Sequence, residues 1–114
     1  MFALKVFKKN ASDYESDRQL VKKMLGGDER AFNQFYQGYA PKVDRFCKAR
    51  CHDEAGCQDI VQQTLSNAMR YLQSYRGEAS LLTWLCQIAR KELAKWYESH
   101  AEMAQTFSID ADDL

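Results

Sequence analysis

Apolar residues along this chain recur at steps of three and four, the spacing of amphipathic helices and not of strands. Leu20, Val21 and Met24 predict a helix from about Ser16 to Leu25, capped by Ser16 or Asp17 and stopped by Gly26-Gly27. Asp28 caps a second helix in which Phe32, Phe35, Tyr36 and Tyr39 share the inner face. Pro41 is expected to kink or restart that helix before Val43, Phe46 and Cys47 carry the stripe to about Arg50. A third helix, about Glu54 to Ser74, buries Val61, Leu65, Ala68, Leu72 and Tyr75 and leaves Asp59, Gln62, Gln63, Ser66, Arg70 and Gln73 outside. Ser80 caps the fourth, about 80 to 99, with Leu82, Leu85, Ala89, Leu93 and Trp96 buried and Leu81, Trp84 and Ile88 widening the arc. The expected fold is all-α, a compact bundle of four helices over residues 16–100. Residues 1–15 form a lead-in and residues 101–114 an acidic linker or tail.

Composition agrees with that pattern. A chain of 114 residues with 46% hydrophobic and 28% charged positions has material for one modest core. One proline and five glycines leave little for the turns of a many-stranded sandwich. The net charge of zero hides an uneven distribution. Residues 1–50 hold eleven Lys or Arg against six acids, residues 51–97 hold five of each, and residues 98–114 hold five acids and no Lys or Arg. The body is therefore basic enough to suit a polyanionic partner. No run approaches the roughly 18 apolar residues of a membrane span, and the N-terminal apolar run is too short for a secretory signal. A cytoplasmic protein with no membrane association and with free thiols is expected.

Two constellations carry candidate chemistry. The turn "YRGEAS" runs straight into the fourth helix, whose polar ridge holds Thr83, Gln87, Arg90 and Lys91. Gly77 lets backbone approach closely, Arg76, Glu78 and Ser80 offer donors and acceptors, and Trp84 sits at the edge of the apolar arc. Taken alone, these residues also fit a capped turn followed by a solvated face. Cys47, Cys51, His52 and Cys57 are spaced Cys-x3-Cys-His-x4-Cys, looser than the paired loops of structural zinc sites. Packing as small hydrophobes is the expectation, with no metal and no cofactor. There is no glycine-rich phosphate loop and no HExxH, and His52 and His100 are the only histidines, so an enzyme is not expected.

In order, "LVKKMLGGDERAFNQFYQGYAPKVDRF", "QDIVQQTL", "YRGEAS" and "TWLCQIAR" resemble region 2 of bacterial RNA polymerase sigma factors of the extracytoplasmic-function (ECF) group, within the sigma-70 family. The resemblance runs over about residues 17 to 100. It implies that Asp59, Gln62, Gln63 and Ser66 meet the coiled coil of the largest subunit of core RNA polymerase. It also implies that Arg76, Gly77, Glu78, Ser80, Thr83, Trp84, Gln87, Arg90 and Lys91 engage the −10 element of promoter DNA and trap an unpaired base. An anti-sigma protein is a further implied partner. The chain departs from the family pattern at Gln63, where Glu is usual, and at Leu65, where Phe is usual. It departs again at Gln87, where Arg or Lys is common, and at Lys91, where Asn is frequent. The family's second helical domain, region 4, has no counterpart here, so a fragment or a protein working without that domain is expected. Two alternatives stand beside this reading: a helical protein-interaction module without a DNA role, and a metal- or thiol-responsive regulator.

Overall fold

The structure, a computed structural model, describes residues 14–101, and among these every regular element is a helix. Four helices follow one another: α1 Glu15–Leu25, α2 Glu29–Lys48, α3 Glu54–Arg70 and α4 Leu81–Ser99, with a 3-10 turn at Leu72–Ser74. The expected lead-in and acidic tail lie, but for residues 14, 15 and 101, outside the described residues. No described helix is long and apolar enough to cross a membrane.

Helix ends are set by local chemistry. After α1 the amide of Gly27 donates to Met24 O and that of Asp28 to Lys23 O, a Schellman closure in which Gly27 takes φ 88°. Asp28 then caps α2, its Oδ1 accepting from the Arg30 and Ala31 amides at 2.9 and 3.2 Å. Ser80 caps α4 as expected, accepting from the Thr83 amide at 3.1 Å. Neither Ser16 nor Asp17 caps α1. The helix begins at Glu15 behind Tyr14, and Asp17 is engaged elsewhere. Pro41 does not restart α2, which runs unbroken through it. Pro41 is exposed, so the Gln37 carbonyl that loses its partner faces water, while Phe35 and Val43 anchor the helix on both sides.

The core gathers one stripe from each helix: Leu20, Val21 and Met24; Ala31, Phe35, Val43 and Cys47; Ile60, Val61, Leu65 and Ala68; Leu81, Leu85, Ala89 and Leu93. The inward aromatic face expected of α2 is only partly inward. Phe35 is buried and Tyr39 half-buried, whereas Phe32 and Tyr36 stay 44% and 48% exposed. Four aromatics cover more of the helix circumference than the neighbours can bury. In α4 Leu81, not Leu82, is fully buried. α3 and α4 approach closely at Gly56, where the Trp96 ring lies 2.6 Å from the point a Cβ would occupy. Trp96 is therefore only half-buried, lying across this crossing point at the margin of the core. The third helix also stops earlier than expected. It ends at Arg70, and Leu72 reaches the core from the 3-10 turn.

Candidate functional site

The turn between α3 and α4 is held from two directions. Within it, Tyr75 donates its hydroxyl hydrogen to Ala79 O at 2.7 Å. From α1, Arg18 Nη1 donates to Gly77 O at 3.3 Å, and Asp17 Oδ2 accepts from the Leu81 amide at 2.9 Å. The other oxygen of Asp17 accepts from Tyr39 Oη at 2.8 Å, so one carboxylate ties α1, α2 and the start of α4 together. Burial, with Asp17 nearby, pushes the Tyr75 hydroxyl up to about 12 and raises that of Tyr39 as well. Both phenols accordingly stay protonated donors at neutral pH.

Gly77 has φ 77°, the left-handed region, and is buried. The Arg18 side chain lies 2.6 Å from where its Cβ would be. The missing side chain thus makes room for Arg18, a reason the sequence did not disclose. Arg76 and Glu78 on either side are exposed and make no side-chain hydrogen bond among the described residues. Ser80 is half-buried through its cap, and its Oγ also meets Thr83 Oγ1 at 2.9 Å. The backbone of the turn is tied by these bonds, and its two charged side chains are open to solvent.

From this turn α4 presents Thr83, Gln87, Arg90 and Lys91 as an exposed ridge. A groove flanks the ridge on each side. On one side Arg90 lies 5.5 Å from the Phe46 ring centroid, and Arg50 stacks on the same ring at 3.7 Å. On the other, between α3 and α4, Trp84 and Lys91 face Gln63, Arg70 and Tyr71 across a groove of about 500 Å³. Trp84 is half-buried, its ring centroid 5.5 Å from that of Tyr75.

Asp59, Gln62, Gln63 and Ser66 are all exposed along one side of α3, at offsets of three, four and seven from Asp59. The polymerase-facing set expected of the sequence is therefore a continuous polar strip. Gln63 belongs to that strip and also lines the α3–α4 groove, so the two expected binding sets adjoin.

The sequence alone does not single out Asp17, Arg18, Asn67 or Glu92 as part of the site. Asp17 and Arg18 gave no signal, since their partners lie about sixty residues away. Glu92 did give one: it sits three residues after Ala89 and seven after Leu85, on the apolar arc, where a carboxylate is out of place.

The thiols are packing elements. Cys47, Cys51 and Cys57 are buried, and burial pushes Cys47 up to about 12 and also raises Cys57 and the half-buried Cys86. Cys51 Sγ donates weakly to Asp53 O at 3.7 Å. Among the described residues, no group of three or more His, Cys, Asp or Glu is arranged to hold a metal ion.

Fold and faces together define an all-helical domain that braces one turn and presents polar surface outward on both sides of it. Residues 35–102 match the family described as Sigma-70 region 2, and the chain belongs to that family. It is similar to the RNA polymerase sigma-H factor of Pseudomonas aeruginosa, 36% identical over 75 residues that make up 66% of this chain and 39% of that protein. It is also similar to the ECF RNA polymerase sigma-E factors of Salmonella typhimurium and Escherichia coli. Each is 29% identical over 100 residues, 88% of this chain and 52% of theirs. The chain spans about half the length of these relatives or less. No solved structure matches it.

Proposed function

We propose that this chain is the part of a sigma factor that docks on core RNA polymerase and opens the promoter −10 element. The polar strip of Asp59, Gln62, Gln63 and Ser66 serves as the polymerase contact. The turn at Arg76–Ser80, with Thr83, Trp84, Gln87, Arg90 and Lys91 on α4, serves as the DNA contact. The reading rests chiefly on the bracing of the turn. Asp17 and Arg18 fix its backbone while Arg76 and Glu78 remain free to meet a ligand. Opening DNA without nucleotide hydrolysis requires binding energy that appears only once a base has left the stack, at a cost of a few kcal/mol. A rigid backbone carrying uncommitted polar side chains can supply that energy without first losing conformational entropy. Such a factor works in the cytoplasm, beside polymerase, and an anti-sigma protein that covered both faces would silence it.

The test separates the faces. Asp59→Lys is expected to weaken association with core polymerase about tenfold, or about 1.4 kcal/mol, and to leave the helical circular dichroism unchanged. The double substitution Arg76→Ala with Glu78→Ala should preserve association and reduce promoter opening, read by permanganate reactivity of unpaired thymines. The opposite distribution of effects would show that the faces are wrongly assigned. Unchanged association and opening in both variants would favour an interaction module with another partner.

A further inference from the structure

Glu92 belongs to neither proposed contact set, and its position is hard to explain by stability. It is 8% exposed, among Leu85, Ala89 and Leu93, where an apolar side chain would pack without losing hydration. Its compensation is thin. Asn67 Nδ2 donates to Oε2 at 2.7 Å, and Lys95 Nζ reaches the same oxygen at 3.4 Å. Oε1 carries no hydrogen bond among the described residues. A carboxylate offers about four acceptor positions, and those that Asn67 and Lys95 leave open stay within reach of solvent or a ligand in the groove.

Glu92 and Asn67 form the floor of the groove between α3 and α4. A carboxylate can only accept, so the Asn67 amide must turn its nitrogen towards Glu92, which leaves Oδ1 as a second acceptor. Above this floor stand Arg70, Lys91 and Lys95, three cations against one carboxylate. Neither Arg70 nor Lys91 has a carboxylate partner among the described residues. Tyr71, 54% exposed, and Trp84 supply aromatic surface in the same groove. Cationic rim, aromatic wall and acceptor floor match the three parts of a nucleotide: phosphate, base face and a base edge that donates.

We infer that this groove reads one unpaired nucleotide, with Arg70 and Lys91 on its phosphate and Glu92 accepting from the exocyclic amine of its base. Adenine, cytosine and guanine carry such an amine. Thymine has no exocyclic amine, and its one Watson–Crick-edge donor, N3–H, lies between two carbonyl oxygens that the acceptors repel, so it is disfavoured. The inference rests on the promoter reading above. It adds a selection against thymine at a place separate from the Arg76–Ser80 turn.

The experiment titrates the 15N-labelled chain with heptameric oligothymidylate, and with the same strand carrying a central adenine, cytosine or guanine. Chemical shifts to millimolar strand concentrations register weak binding. The Trp84 indole N–H and the Asn67 side-chain amide report on the groove, and the Arg76 and Glu78 amides report on the turn. The amine-bearing strands are expected to bind about fivefold more tightly than oligothymidylate and to shift the groove signals. Glu92→Gln keeps the shape and an acceptor for Asn67 but can turn N–H groups towards the ligand. It should abolish or reverse the preference, which loss of a purely structural bridge would not do. Arg70→Ala and Lys91→Ala should weaken all strands alike and each lower the salt slope by about one. They keep the test open if Glu92→Gln does not fold. Binding that shifts only the turn signals, or an unchanged base ratio in folded Glu92→Gln, overturns the groove inference and leaves the promoter reading standing. Absence of any shift with any strand overturns both.

Discussion

Gly77 shows how one missing side chain is used twice. Its φ of 77° is a conformation that a side chain resists, and the space a Cβ would take is filled by Arg18 at 2.6 Å. Gly77→Ala should therefore cost about 1–3 kcal/mol, the order of one residue forced into the left-handed region, with an added displacement of Arg18. Pairing it with Arg18→Ala removes the steric part and leaves the backbone part, so the double variant should be less destabilised than the sum of the two singles. Urea unfolding of the four proteins measures that coupling. Thr64 is a contrasting case. Its hydroxyl is buried without a hydrogen-bond partner, which marks a position where polarity contributes nothing to the fold and a valine of similar shape would be tolerated.

Among the helices, α1 acts as the brace. Asp17 accepts from the first amide of α4 and from Tyr39 on α2, so its removal strips two partly buried donors at once. Asp17→Ala is expected to lose about 2 kcal/mol, the order of one buried group left unpaired. For a domain of this size that lowers Tm by roughly 10 °C. Asp17→Asn keeps an acceptor for one of the two donors and should fall between, as differential scanning calorimetry would show. This bracing also marks where sequence reading stops. The four helices, their spacing and the Ser80 cap were legible because they depend on residues three or four apart. The outward positions of Asp59, Gln62, Gln63, Ser66 and the Thr83–Lys91 ridge followed from the same period. The sequence offers Ser16 or Asp17 as the cap of α1 and gives no hint of the real partners of Asp17, which lie 22 and 64 residues away. Phe32 and Tyr36 share the period of the core residues, but period alone cannot choose which part of a broad aromatic arc meets a neighbour. The groove floor is not legible in the sequence because Asn67 and Glu92 become a pair only when α3 lies against α4.

For the molecule as a whole, these contacts converge on one dependence on pH. Tyr75 and Tyr39, both raised first by burial and then by Asp17, hold the α1, α2 and turn corner, and Cys47 lies in the core with its thiol raised by burial. In each case the folded pKa lies above the ordinary value of 9.0 for the thiol or 10.0 for the phenols, so the folded chain keeps a proton that the unfolded chain releases. The stability from these groups is fully present below about pH 9 and declines as pH rises through the interval to about 12. Unfolding free energies from urea should then show no pH dependence from these groups between pH 7 and 8.5, and a fall above pH 9.5. Tyr75→Phe retains the ring against Trp84 but has no proton to lose. Its curve should start lower at neutral pH, for want of the bond to Ala79, and descend less steeply in alkali. Parallel curves for the two proteins would mean that Tyr75 titrates alike in both states, and that the turn is not closed by the bond on which its rigidity has been argued.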